Sequence, residues 1–253
     1  MSAESTSGPG HDTVSGLDLV IPVYNEGDTI RRTLDALFTT NKCPFRVYIV
    51  YDFDEDNTLT ALNSCPAEYR RRIIRIKNDG RGPHSAVLTG FRKSTAPGVL
   101  MYPADDDFNL GIVDRMYETW RGEGCDIVCA SRFIRGGCME GCPWPKKVLV
   151  RVSAFALYHI AGIPTHDASN GFRLFSRRVL DEIPIESSRG FTYSIELLVK
   201  THRKGWKICE VPAKWFERSA GRSRFRVLKW LPAYLRWFFY GISTTWLGRK
   251  GKV

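Results

Sequence analysis

The sequence predicts an α/β protein with a mostly parallel sheet flanked by helices. Short β-branched runs alternate with helical patterns through the first half of the chain. Several of these runs end in loops rich in Asp, Asn or Gly, and in open parallel sheets ligands bind beyond the carboxyl ends of the strands. The 253 residues, 43% hydrophobic and 25% charged, have the composition of a folded globular chain.

Leu17 to Pro22 is an apolar run closed by Pro, then a loop from Tyr24 to Asp28, then Ile30, Leu34, Leu37 and Phe38 in helical phase. Phe45 to Tyr51 is a second strand ending in the acidic turn Asp52 to Asn57, with a helix opening at Thr58. Arg72 to Ile76, the turn Asn78 to Pro83 and a helix from His84 to Lys93 make a third unit. Gly98 to Tyr102 leads into Pro103-Ala104-Asp105-Asp106-Asp107, and Asp126 to Ala130 is a fifth strand. Beyond it the pattern predicts helices at 146–160, 176–183 and 193–204 and a strand near 208–211, with a compact segment Asp167 to Arg173 among them.

The formal net charge of +10 is unevenly placed. Residues 1–130 hold 14 Lys and Arg against 19 Asp and Glu, a net of −5, and residues 131–253 hold 23 against 8, a net of +15. A basic second half implies a phosphate-bearing or membrane-surface partner. No nucleic-acid recognition motif accompanies it, so nucleic acid is not the expected partner. Residues 1–16 lack an apolar run and read as a disordered tail rather than a signal peptide, which predicts a cytoplasmic protein. No stretch reaches the roughly 20 apolar residues of a spanning helix. Seven cysteines without paired metal spacing predict reduced thiols; a metal held by Cys138 and Cys142 around their Gly-rich loop is the lesser alternative, since no His follows at ligand spacing.

Five features occur in order: the strand ending Pro22-x-Tyr24-Asn25-Glu26, the acidic turn at Asp52, the acidic turn at Asp105, Ser131-Arg132-Phe133 with Gly136-Gly137, and Asp167-x-Ser169-x-Gly171-Phe172-Arg173. Together they resemble the inverting glycosyltransferases of family 2 with the GT-A fold, most closely the dolichol-phosphate mannose synthase branch. The resemblance implies nucleotide binding by Pro22, Tyr24, Glu26 and Asp52, where a carboxylate accepts from base or ribose and Pro and Tyr wall the base. An exposed turn is the plain alternative for Asp52. Gly80 resembles the small loop near the donor phosphates. Asp105 and Asp107 are the implied ligands of Mg2+ or Mn2+, although Pro103 stands where the family's Asp-x-Asp has its first Asp.

By the same resemblance, Arg132 is the acceptor-phosphate residue at a strand end, joined by Lys147, Arg151 and Arg173. An Asp167–Arg173 pair of purely structural role is the alternative for the last. Glu196 is a helix carboxylate suited to orienting an Arg or a sugar hydroxyl. Arg218 and Arg222 resemble a basic loop that closes over the donor diphosphate and stabilises the leaving group. Asp105, Asp107, Arg132 and Arg218 are thus the implied catalytic set, and either Asp106 or Asp107 is placed to act as base toward an alcohol acceptor.

The implied domain spans residues 17–226, and 227–253 forms a basic aromatic helix and tail. With no acidic residue after Glu217, that segment suits a membrane interface; packing on the domain or on a second copy is the alternative. The resulting expectation is transfer of a sugar from a nucleoside-diphosphate sugar to a polyprenyl phosphate at the cytosolic face of an anionic membrane, by a peripheral enzyme that could self-associate. Transfer to a glycan or lipid-linked hydroxyl is the alternative within the family. A degenerate nucleotide-sugar-binding protein, suggested by Pro103, is the alternative of another class.

Overall fold

The computed structural model describes residues 16–217 and 227–246. Its first half is a series of strand and helix units: β1 (Leu17–Pro22), α1 (Thr29–Thr40), β2 (Phe45–Tyr51), α2 (Asn57–Asn63), α3 (Ala67–Arg70), β3 (Ile73–Lys77), α4 (Gly82–Lys93) and β4 (Gly98–Met101). There follow α5 (Ile112–Glu123), β5 (Ile127–Ser131), β6 (Cys138–Glu140), α6 (Trp144–His159), β7 (Arg173–Ser176), α7 (Arg177–Glu182), α8 (Thr192–Arg203), β8 (Ile208–Pro212), β9 (Lys214–Phe216) and α9 (Val227–Trp246).

Seven strands form one sheet in the order β3-β2-β1-β4-β7-β5-β8, and β6 pairs with β9 separately. All pairings in the large sheet are parallel except those of β7, which runs antiparallel to both β4 and β5. The chain winds from β1 to β2 and β3 on one side and then crosses to β4 on the other. The β1/β4 boundary is therefore a topological switch point, where a crevice opens beyond the strand ends.

Alternation along β1 sorts the core into two layers. Leu17, Leu19 and Ile21 face Ile30, Leu34 and Leu37 of α1 and Val113, Met116 and Trp120 of α5. Val20 faces the other layer, with Val87 and Phe91 of α4, Leu198 of α8 and Trp237 of α9. The approach of α4 to β1 is close enough that a Cβ on Gly90 would overlap Val20 Cγ1, so only Gly fits there.

One expectation changes. The thiols are not all reduced: Cys125, just before β5, and Cys209 of β8 form a disulfide across 84 residues, with Cα atoms 6.1 Å apart. Parallel pairing of Ile127 with Ile208 brings the two starts together, a relationship that spacing alone does not reveal. For the aromatic C-terminal helix, the alternative of packing on the domain holds on one face. Trp237 is only 2% exposed in α9 and its ring lies 5.0 Å from Lys200 Nζ of α8, while Arg236 reaches Glu186 Oε2 at 2.7 Å. Packing on the domain holds this face, and Phe239 remains exposed on the other.

Candidate active site

The loops expected to hold the donor meet at the switch point. Pro22 ends β1 beside Val50 of β2, and the loop after it turns at Asn25 with φ of 53°. That left-handed turn is held by a carboxylate: Asp56 accepts the Asn25 main-chain N–H at 3.0 and 3.1 Å and caps α2 through Thr58 N at 2.8 Å. The Glu26 N–H donates to Thr58 Oγ1 at 3.0 Å. Tyr24 stands half exposed with its ring edge-to-face on Phe53, centroids 5.4 Å apart, an aromatic wall suited to a base.

Asp52, at the end of β2, accepts from Asn78 Nδ2 at 2.6 Å and from the Gly82 N–H at 2.8 Å. Asn78 is the hub of this corner. Its Oδ1 accepts from the Gly80 N–H at 3.1 Å, from Ser85 Oγ at 2.8 Å and from Thr89 Oγ1 at 3.1 Å. A Cβ on Gly80 would lie 2.5 Å from Ser85 Oγ, which gives this Gly a steric reason. Asn78 and Asp56 were not singled out from sequence. Asn78-Asp79-Gly80 carries the turn signature that marks the first, and Asp56 two residues before Thr58 carries the helix-cap signature that marks the second.

The acidic loop after β4 sorts its three carboxylates. Asp106 turns inward, accepting from the Phe108 and Asn109 N–H groups at 3.3 and 3.0 Å and from Asn109 Nδ2 at 2.7 Å. Burial pushes its carboxyl up to about 6 against these hydrogen bonds. Asp106 thus anchors the loop on Asn109 and is almost wholly buried. Asn109, another residue unread from sequence, also exchanges hydrogen bonds with the main chain of Lys214, tying the loop to β9. Thr33 Oγ1 of α1 donates to Ala104 O at 2.8 Å. Asp105 is half-buried, and exposed Asp107 lies 3.3 Å from Arg32 Nε. Asp105 and Asp107 are the two hard carboxylates of this loop that could hold a divalent cation, with apolar Pro103 two positions before Asp105.

On the acceptor side the expected partners are exchanged. Arg132 follows β5 and donates to Asp167 through Nε at 2.7 Å and Nη2 at 2.8 Å, and its own N–H adds a third bond at 3.0 Å. Burial opposes the charge on Asp167, but the Arg132 guanidinium outweighs it and holds the carboxyl below the usual range. Arg173, expected at the acceptor phosphate or paired with Asp167, is fully buried. Its guanidinium donates to the carbonyls of Asp167, Ala168 and Ser194, so it braces the main chain instead of binding substrate. Glu196 is likewise structural: it accepts the N–H groups of Glu186 and Ser187 and pairs with Lys200 Nζ at 2.8 Å.

Lys147 and Arg151 lie one turn apart on α6. The Arg151 and Arg132 guanidiniums sit 5.5 and 5.3 Å from the centre of the Phe133 ring, so that ring joins the two expected phosphate-binding groups. Arg218 and Arg222 lie outside the described residues.

The pattern of glycosyl transferase family 2 matches residues 18–184. Polyprenol monophosphomannose synthase of Mycolicibacterium smegmatis is 24% identical over 84% of this chain and 85% of its own length. Undecaprenyl-phosphate mannosyltransferase of Micrococcus luteus is 26% identical over 92% and 97%. Dolichol-phosphate mannosyltransferase of Pyrococcus furiosus is 26% identical over 83% of this chain and 59% of its own. In three dimensions, glucosyl-3-phosphoglycerate synthase of Mycobacterium tuberculosis in complex with uridine diphosphate superposes with a TM-score of 0.63, at 16% identity over 94% of this chain and 86% of that one. The same enzyme with Mn2+, UDP-glucose and phosphoglyceric acid gives 0.61 at 20% identity, over 91% and 79%. With its pattern spanning the greater part of the chain and its GT-A-like sheet in place, the chain belongs to glycosyl transferase family 2.

Proposed function

We propose that the protein is a metal-dependent, inverting glycosyltransferase that moves a sugar from a nucleoside-diphosphate sugar to a polyprenyl phosphate at a membrane surface. The observation that carries the reading is the convergence of the Asp52 corner and the Asp105–Asp107 loop at the β1/β4 switch point, with Arg132 and Arg151 gathered on Phe133 nearby. Relatives named for polyprenyl-phosphate mannosyl transfer, and structural neighbours bound to Mn2+ with UDP-glucose, support it.

In this reading Tyr24 and Phe53 wall the base, and Asp52 presents an ordered carboxylate to the nucleoside. Asp105 and Asp107 hold Mg2+ or Mn2+, which when bound supplies Lewis-acid neutralisation of the departing diphosphate. Arg218 and Arg222 belong to the segment expected to add positive charge to that leaving group. The acceptor phosphate oxygen is already anionic, so attack on the anomeric carbon needs no strong base, in keeping with an Asp106 carboxylate engaged with Asn109. No helix among the described residues is long and apolar enough to cross a membrane.

A panel of radiolabelled nucleotide sugars, offered with farnesyl phosphate and either Mg2+ or Mn2+, tests the proposal. Metal-dependent label in the isoprenoid phosphate is the expected result. Label only in glycan hydroxyls would favour the other acceptor class.

A further inference from the structure

We infer that α6 is the seat of the lipid acceptor, with the phosphate in a cavity contacted by Arg151 and a Glu210-oriented His166, and the hydrocarbon chain along the exposed apolar stripe of the same helix. The inference rests on the polyprenyl-phosphate reading above.

The cavity, about 210 Å³, is lined by Phe133, Arg151, Phe155, Tyr158, His159 and His166 together with Ala154 of the same helix. His166 is built into its wall. Its Nδ1 lies 2.5 Å from Glu210 Oε1, its main-chain N–H donates to Glu210 Oε2 at 2.9 Å, and its ring stacks on Tyr158 with centroids 4.0 Å apart. Thr165 Oγ1 donates to the same carboxylate at 3.0 Å. A carboxylate on Nδ1 fixes the tautomer and leaves Nε2 for a ligand. Charged, that nitrogen donates to a phosphate oxygen; neutral, it accepts a hydrogen bond from the P–OH of a phosphate monoanion. Arg151 supplies the charge-assisted partner, and no carboxylate lines the cavity.

The helix continues the site in an apolar direction. Trp144, Val148, Val152 and Phe155 recur at intervals of four, four and three, which places them on one face. They are 75%, 41%, 61% and 62% exposed, whereas Leu157 on the opposite side is buried. Contiguous exposed apolar surface of this kind marks a binding surface. Phe155 belongs both to the stripe and to the cavity wall, so head group and tail sites are continuous. A second copy of the chain or a neutral apolar partner would leave the cationic end unfilled. A molecule with a phosphate at one end and a hydrocarbon at the other fills both.

The test compares dimethylallyl phosphate, which has almost no tail, with undecaprenyl phosphate in detergent micelles. Calorimetric titration of dimethylallyl phosphate into the whole protein reads the cavity without a donor: His166→Ala and Glu210→Gln should each bind about tenfold more weakly. In transfer assays His166→Ala should raise the KM for both acceptors while the donor KM stays near wild type. Val152→Glu should raise the KM for undecaprenyl phosphate about tenfold more than that for dimethylallyl phosphate. Equal binding by wild type and His166→Ala, no binding by wild type, or an unchanged KM ratio in Val152→Glu would overturn the inference. A shift of Val152→Glu from dimer to monomer in sedimentation, without that ratio change, would assign the stripe to a second copy. Failure of the wild type to transfer to either lipid, with dimethylallyl phosphate still bound through His166, would count against the proposed function and not against the cavity.

Discussion

Asp167 grips Arg132 with both carboxylate oxygens, from Nε at 2.7 Å and from Nη2 at 2.8 Å, in a pair almost wholly withdrawn from solvent. The residue that follows β5 is therefore set in place by the motif that begins 35 positions later. Removing Arg132 leaves a buried carboxylate without its counter-charge, which costs about 3–5 kcal/mol in such pairs. Arg132→Gln should lower unfolding free energy by that order in urea titrations at pH 7. Arg132→Lys should recover only part of it, because the two-pronged geometry is lost.

The same pair sets a pH dependence. Because the Asp167 carboxyl is held below its unfolded value of about 3.9, the folded state binds fewer protons than the unfolded one there. Its stabilising contribution is complete above that value and is lost as pH falls through the lower folded value. Urea midpoints from pH 7 to pH 3 should show this loss only below about pH 4. A loss that begins near neutrality would place the pair's titration elsewhere.

Asn78 gathers Asp52, Gly80, Ser85 and Thr89 around one amide. Asn78→Ala leaves three donors without their acceptor and should destabilise by about 1–3 kcal/mol. The loop beside the donor loses its template as well, so the nucleotide-sugar KM should rise more than the acceptor KM falls or rises. Equal changes in both would make Asn78 a stability residue alone.

The Cys125–Cys209 disulfide lies at the amino-terminal ends of β5 and β8, away from the strand ends that carry the site. Closing a loop of 84 residues stabilises by about 2–4 kcal/mol. Cys125→Ser with Cys209→Ser should lower the melting temperature, with the donor KM unchanged. A changed donor KM would show that the far end of the sheet communicates with the site.

The pattern of strands and helices was legible because most strands are buried on both faces and read as continuous β-branched runs closed by Gly, Pro or Asp. Less visible was β7: Arg173-Leu-Phe-Ser is four residues long and is masked by the motif that ends in it. The helix α5 carried its signal openly in Ile112, Val113, Met116 and Trp120, directly after the acidic loop. Among the expected site residues, Asp52 and Arg132 follow directly on strands and Asp105 lies in the loop after one, and that place in the pattern is what made them legible. Arg173 carries the same charge as Arg132, and only the fold distinguishes a guanidinium buried among carbonyls from one paired with the Asp167 carboxylate. Similarly, the aromatic residues of α9 suit a membrane or a core equally well in sequence, and Trp237 against Lys200 decides for the core on one face.

The carboxylate pair of the acidic loop carries the next expectation. Asp105→Asn and Asp107→Asn should each weaken Mn2+-dependent binding of a nucleoside diphosphate, by at least about tenfold in calorimetry, while binding in the presence of a chelator stays equal to wild type. Full retention of metal-dependent binding in Asp105→Asn would refute its assignment as a ligand.

The stereochemistry of the product tests the central claim most directly. With an α-linked nucleotide sugar, farnesyl phosphate and Mn2+, proton and phosphorus NMR should reveal a β-linked glycosyl phosphodiester that disappears when the metal is chelated. An α-linked product, transfer that persists in chelator, or sugar found only on hydroxyl acceptors would contradict the account.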